Sequence, residues 1–321
     1  MARRDRKASG GDSATPPRAL RFSQRLAPLG ERTLPWLPER STQLAMGEAF
    51  ARWPGLWGLT ASGARFQGSR QALERAFPDQ DVDRLFSEWV RARGRGMGAC
   101  VNYLSRWTKG RPSRLIRPTP GFELPDGPSV FAFLHYSIDP IVQLACMSAA
   151  PGRRVRCVNY PIQPEIEDDR ELWLAGVELP PEIAEMLLMV TDPRWVATGI
   201  DHLKEGGTIF MALDAPFDAY RPATTTIPVG RTQLPLAPSV ELFAEVEGVQ
   251  LVLAWPYPGS RGSWMLDVRQ AASVDELAGL AGEWIESHHE HWAGLPFLAW
   301  RHDATVMREN VRRLRAGADI G

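Results

Sequence analysis

Between Asp79 and Trp107 the apolar residues Val82, Leu85, Phe86, Trp89, Val90, Met97, Val101, Leu104 and Trp107 recur mostly every three or four positions. That spacing predicts a long amphipathic helix over residues 81–107. The Asp-rich start suits the positive end of a helix dipole, and Pro78 stops any earlier helix from running through. Gly94, Gly96 and Gly98 have no strand before them and no Gly-Lys-Ser/Thr after them, so they predict close helix packing rather than a phosphate loop.

The middle of the chain changes character. Short apolar runs at Ser129–Leu134, Arg154–Val158 and Thr208–Leu213 are bounded by turn residues and predict buried strands. Between them Pro140–Ala150, Pro181–Val190 and Leu236–Glu247 are long enough for two or more helical turns, and the first two open with proline at the favoured first position. Alternation of this kind predicts an α/β fold, a mixed and mainly parallel central sheet flanked by helices, with an N-terminal helical segment. Val249–Tyr257 and Trp264–Val268, joined by Pro-Gly-Ser-Arg-Gly, predict a hairpin added to that sheet. A last helix is expected from Val274 to about Trp292, with Leu277, Leu280, Trp284, Ile285 and His288 on one side. The organisation expected is a basic tail over 1–30, a helical segment over 31–115, an α/β core over 116–305 and a basic C-terminal tail over 306–321.

Composition narrows the function classes. With 321 residues and 44% apolar content the chain can bury a full core. Charged residues make up 23% and sum to a formal net charge of −1, which argues against a dedicated nucleic-acid binder. The first forty residues hold an excess of Arg and Lys, and MARRDRKASGGDSATPPRALRF has too little apolar periodicity to offset ordering entropy. Either this tail is solvated without function or it is a weak electrostatic foothold on anionic lipid, worth about 1 kcal/mol per basic residue near the surface. Cys100, Cys146 and Cys157 are too few for a disulfide framework and form no CxxC pair, so a reducing, cytoplasmic setting is expected. No run approaches the ~18 consecutive apolar residues of a spanning helix.

His135 is the leading candidate for chemistry. It ends the run Val130–Leu134 and precedes Tyr136-Ser-Ile-Asp139-Pro140, where Asp-Pro is a helix start. A histidine at the carboxyl end of a strand faces the crevice where open α/β sheets place ligands. With a carboxylate four residues on, one ring nitrogen can be tied down and the other left as a base. The plainer reading makes Asp139 an N-cap and His135 its hydrogen-bonded neighbour. Asp214 ends a second apolar run in the same way, and the two strand ends converge on one edge if the sheet is parallel. His288, His289 and His291 resemble metal ligands, but they sit on a helix that needs an apolar face and have no spaced partner motif, so no metal is expected. There is no Gly-x-Ser-x-Gly elbow, and Cys146 falls in an apolar helix as packing.

Four stretches, in order, resemble the lipid A biosynthesis (lauroyl/myristoyl) acyltransferases and related bacterial mannoside acyltransferases, of the lysophospholipid acyltransferase-like superfamily. Gly68–Pro78 with the helix behind it is similar to the family's opening block. The strand, His135, turn and Asp139 stand in the place of its His-x4-Asp/Glu motif. Leu203–Asp214 resembles its Gly-Gly block ending in Asp. Val229–Ala244, followed by Gly248–Leu253, is similar to the block beside its acyl pocket. The chain departs from the pattern in three ways. His135 and Asp139 are separated by three residues with Pro140 where the acid usually falls, the helix block reads Leu236-Ala-Pro-Ser239, and the family's N-terminal membrane helix is missing. His-x3-Asp is also the spacing of condensation domains and plant-type acyl-CoA transferases, which are larger and carry a second signature absent here.

The resemblance implies transfer of an acyl group from acyl-CoA or acyl-carrier protein to a hydroxyl or amine of a lipid, glycolipid or specialised metabolite, with no cofactor. In that reading His135 is the general base and Asp139 orients it. Asp214, Ser137, Tyr136 and Arg231 support it or bind substrate. The setting implied is cytoplasmic, with peripheral contact to an anionic membrane face. The competing expectation is a non-catalytic acyl- or lipid-binding relative, favoured by the shortened His-to-Asp spacing.

Overall fold

The computed structural model describes residues 39–52, 63–107, 116–118, 125–135, 154–159, 186–190, 192–214, 223–259, 263–292 and 294–295. Its helices are α1 (Glu39–Arg52), α2 (Gly63–Ala76), α3 (Val82–Trp107), α4 (Trp195–Lys204), α5 (Pro238–Ala244) and α6 (Val274–Ser287), followed by a 3₁₀ turn at His289–His291. Its strands are β1 (Ile116–Pro118), β2 (Ser129–Phe133), β3 (Val155–Asn159), β4 (Leu187–Met189), β5 (Thr208–Ala212), β6 (Thr226–Val229), β7 (Thr232–Pro235), β8 (Gln250–Pro258) and β9 (Trp264–Ala271).

Among the described residues seven strands form one sheet in the order β1-β9-β8-β2-β5-β3-β4, and β6 and β7 make a separate antiparallel hairpin. Every pairing in the large sheet is parallel except β8 with β9. The chain is therefore an α/β protein with a mixed, mainly parallel sheet flanked by helices and an N-terminal helical segment. The two central strands read as continuous apolar runs because both their faces are covered: Val130, Phe131, Ala132, Phe133 and Leu134 are buried, as are Ile209 through Leu213. Phe131 and Phe210 meet ring to ring across them at 5.1 Å. On the carboxyl side the chain leaving β2 heads towards β3, and the chain leaving β5 heads the other way to β8. Sheets with such a reversal carry a crevice beyond the strand ends.

The long helix forms where its periodicity places it, and Gly98 packs closely as expected: a Cβ there would lie 3.1 Å from Gln43 Cα and 3.2 Å from Thr42 O, so α1 crosses α3 closely at that point. The β8–β9 hairpin pairs Tyr257 with Met265, again as its sequence indicates. Two elements differ. Pro181–Val190 is expected to be helical, yet Leu187–Met189 is an edge strand beside β3, with Leu187 opposite Cys157. A short unbroken apolar run satisfies either structure, and pairing with β3 decides it. The terminal helix stops at Ser287 rather than near Trp292, because His288 leaves the helical region at φ −140°. Its start is capped by Ser273, whose Oγ accepts from Glu276 N at 3.1 Å. Pro140–Ala150, the tail over 1–30 and residues 306–321 lie outside the described residues.

The N-terminal helices are fastened to the sheet layer at defined points. The β6–β7 turn inserts Gly230 at φ +54° against the Ala76 carbonyl, and Arg231 N donates to that same oxygen at 2.8 Å. Trp89 of α3 donates its indole N–H to Trp292 O at 2.7 Å. Both contacts join the N-terminal helices to elements later in the chain.

Candidate functional site

The site begins with register. β2 and β5 pair in parallel from Ser129 with Thr208 to Phe133 with Ala212, and the ladder continues as Leu213 N donates to Phe133 O at 2.7 Å. Two residues past the last paired position on each strand stand His135 and Asp214. A parallel pair carried on by the same step on both sides keeps its side chains level, so imidazole and carboxylate meet.

Their contact is double. His135 N donates to both carboxylate oxygens of Asp214, at 3.0 and 3.1 Å, and ring Nδ1 lies 2.7 Å from Oδ1. The far oxygen Oδ2 accepts the indole N–H of Trp292 at 2.6 Å. Amide and indole nitrogens can only donate, so Asp214 is an acceptor on every side and Nδ1 carries the proton shared with it. In the neutral ring this leaves Nε2 as the basic nitrogen. Asp214 is fully buried, whereas the His135 side chain keeps 19% of its surface exposed. The arrangement is a solvent-reachable imidazole steered by a buried, fully engaged carboxylate, which can accept a proton from a substrate and hold the resulting imidazolium.

Asp214, expected in a supporting role, stands at Nδ1 of His135. Asp139, Tyr136 and Ser137 lie outside the described residues. Arg231 sits in the β6–β7 turn, where its guanidinium pairs with Asp79 at 2.5 Å. It serves the joint between that turn and the α2–α3 corner.

The sequence reading places Trp89 on a helix's apolar face and Trp292 at the end of another helix, with no role in the site for either, and does not mark Gly294. A buried tryptophan requires an acceptor for its N–H, and Trp292 just past the end of an amphipathic helix is the one signal that pointed towards such a partner. The three histidines ahead of it are packed as rings: His288 stacks on Trp284 at 5.3 Å, His289 tilts against Phe77 at 5.8 Å and His291 meets Trp264 edge-on at 5.2 Å. Burial, reinforced by the charges of His288, Arg95 and His289, pushes the His291 imidazole down to about 3. It is a neutral core ring at ordinary pH. Among the described residues no group of three His, Cys, Asp or Glu side chains is placed to hold a metal ion. Burial pushes the Cys157 thiol up to about 12, so no thiolate nucleophile arises there.

Two other polar groups are structural. Glu241 of α5 accepts from Thr224 N, Thr224 Oγ1 and Thr225 N at 2.8 to 2.9 Å and so fixes the strand entry to β6. His202 Nε2 lies 3.1 Å from Arg154 O and 3.2 Å from Thr208 O, and burial holds its ring below the ordinary histidine range against those two contacts. Among the described residues no helix is long and apolar enough to cross a membrane. No protein-family model matches the chain, and no curated protein matches it.

Proposed function

We propose that the protein is an acyltransferase that moves an acyl group from a thioester to a hydroxyl or amine, with His135 as general base. The observation that carries this reading is the 2.7 Å contact of His135 Nδ1 with the buried Asp214 at the carboxyl ends of two adjacent parallel strands. The ordered resemblance to lipid A acyltransferases supplies the substrate class. A thioester is already activated, so the enzyme needs only to deprotonate the acceptor and stabilise the tetrahedral oxyanion.

In the reaction, Nε2 of His135 takes the proton from the acceptor O–H or N–H as that atom bonds to the thioester carbonyl carbon. Asp214 steadies the imidazolium that forms. Collapse of the oxyanion breaks the C–S bond, and the proton on Nε2 passes to the departing sulfur, giving free thiol and restoring the base. The donor is acyl-CoA or acyl-carrier protein, and the acceptor is a lipid, glycolipid or specialised metabolite. Reaction at the cytoplasmic face of a membrane, held there by the basic N-terminal tail, fits such substrates.

The competing idea of a non-catalytic lipid binder draws on the short spacing from His135 to Asp139. That argument weakens where Asp214 supplies the carboxylate. Purified protein incubated with acyl-CoA and acyl-carrier thioesters should release thiol and form an acylated acceptor. Replacement of His135 by Ala should lower both by about 10²- to 10⁴-fold or more, and undiminished release by the variant overturns the assignment.

A further inference from the structure

We propose that Trp292 is a positioning residue for the His135–Asp214 pair, and that Trp89 of α3 sets its depth. This inference deepens the acyltransferase reading and rests on it for its catalytic consequence. A carboxylate turns about a broad, nearly two-fold torsion, and the contacts from His135, its ring Nδ1 and the one amide N–H shared between both oxygens, reach Asp214 from a single residue. Here the second oxygen is held by the Trp292 indole at 2.6 Å, and the indole's own backbone carbonyl is held in turn by Trp89 Nε1 at 2.7 Å. Both tryptophans are buried, with Trp292 at 0% exposure.

Gly294 closes the arrangement. A Cβ at this position would collide with Asp214 Oδ2 and Trp292 Nε1 and would lie 2.8 Å from Trp292 Cε2. Only a residue without a side chain lets the backbone pass over that hydrogen bond. The segment ahead of Trp292 is anchored by the three histidine rings packed on Trp284, Phe77 and Trp264. A continuous line of contacts therefore runs from α3 through two indoles to the carboxylate that orients His135. Removal of the Trp292 donor would leave Oδ2 only its 3.1 Å share of the His135 amide N–H, and the carboxylate freer to turn away from Nδ1.

The test uses the full chain labelled with ¹⁵N in its six histidines, with the His135 ring signals identified by their loss in His135→Gln. The wild type should show the Nδ1–H form with a strongly hydrogen-bonded, downfield proton. Trp292→Phe, which keeps an aromatic ring and loses the donor, should weaken or broaden that proton signal and shift the ring towards the other tautomer. Its kcat for thiol release should fall roughly tenfold with KM little changed. Trp89→Phe should move both readouts in the same direction by less. A folded Trp292→Phe with wild-type ring signals and wild-type kcat overturns the proposal. If Trp292→Phe fails to fold, Trp89→Phe decides, and unchanged ring signals there overturn it equally. The ring signals need no turnover, so failure of the acyltransferase reading, seen as no thiol release above His135→Ala, is told apart from failure of the clamp.

Discussion

His135 and Asp214 are 79 residues apart, the same offset that separates each of the five partner pairs of β2 and β5, from Ser129 and Thr208 to Phe133 and Ala212. The pair is a continuation of strand register beyond the hydrogen-bonded ladder. Its geometry is consequently held by the most buried part of the sheet. A one-residue slip between β2 and β5 would turn one of the two side chains to the opposite face.

Asp214→Asn places an amide among N–H donors and presents the wrong polarity to Nδ1. Turnover should fall by about 10³- to 10⁴-fold through the wrong imidazole tautomer. Stability should fall by about 1–3 kcal/mol, because a buried donor loses its acceptor. Single-turnover thiol release and urea denaturation of the same variant check both effects.

The acid limb of stability should depend on His291. Its folded value lies near 3, well below that of an unfolded histidine, so between about pH 6.5 and 3 the unfolded chain binds a proton that the folded chain refuses. Stability therefore rises with pH across this window and is lost as pH falls through it, at up to about 1.4 kcal/mol per pH unit from this ring. His202, also lowered by burial, adds in the same direction. His291→Phe keeps an aromatic edge for Trp264 and removes the titration, so the slope of unfolding free energy against pH should flatten relative to the wild type. An unchanged slope would show that the ring is charged or solvated in the folded chain.

Gly230→Ala should destabilise the joint between the β6–β7 turn and α2. The backbone there is left-handed at φ +54°, and a Cβ would drive into the Ala76 carbonyl that accepts from Arg231 N. The strain of the turn alone costs about 1–3 kcal/mol. A lowered melting temperature checks it, and faster proteolysis within α2 would show that the joint itself has opened.

Much of the fold was legible because its central strands are buried on both faces. Ser129–Phe133 and Thr208–Ala212 carry unbroken apolar runs that need no tertiary knowledge to recognise, and the Asp79–Trp107 periodicity is long enough to fix a helix. Leu187–Met189 was misread because three apolar residues suit a strand or a helical turn equally. The α4 helix is absent from the expected elements; it runs unbroken through Gly199, where a Cβ would lie 2.7 Å from the Phe243 ring, so the glycine serves the packing of α4 on α5. In the site, each of His135 and Asp214 was visible as a polar residue ending an apolar run. Which carboxylate engages the ring depends on the register between strands distant in sequence. Local spacing carries no information on that register, and Asp139 lies outside the described residues. Trp292 reaches Asp214 only through tertiary packing, so its own segment marks an indole in need of an acceptor and not which group supplies it.

The most direct test is the time course of thiol release and acceptor acylation by wild type, His135→Ala and Asp214→Asn, with acyl-CoA and acyl-carrier thioester as donors. The account predicts acylated product from the wild type, and rates lowered by about 10²- to 10⁴-fold or more in His135→Ala with the fold retained. Equal rates in wild type and His135→Ala would contradict it.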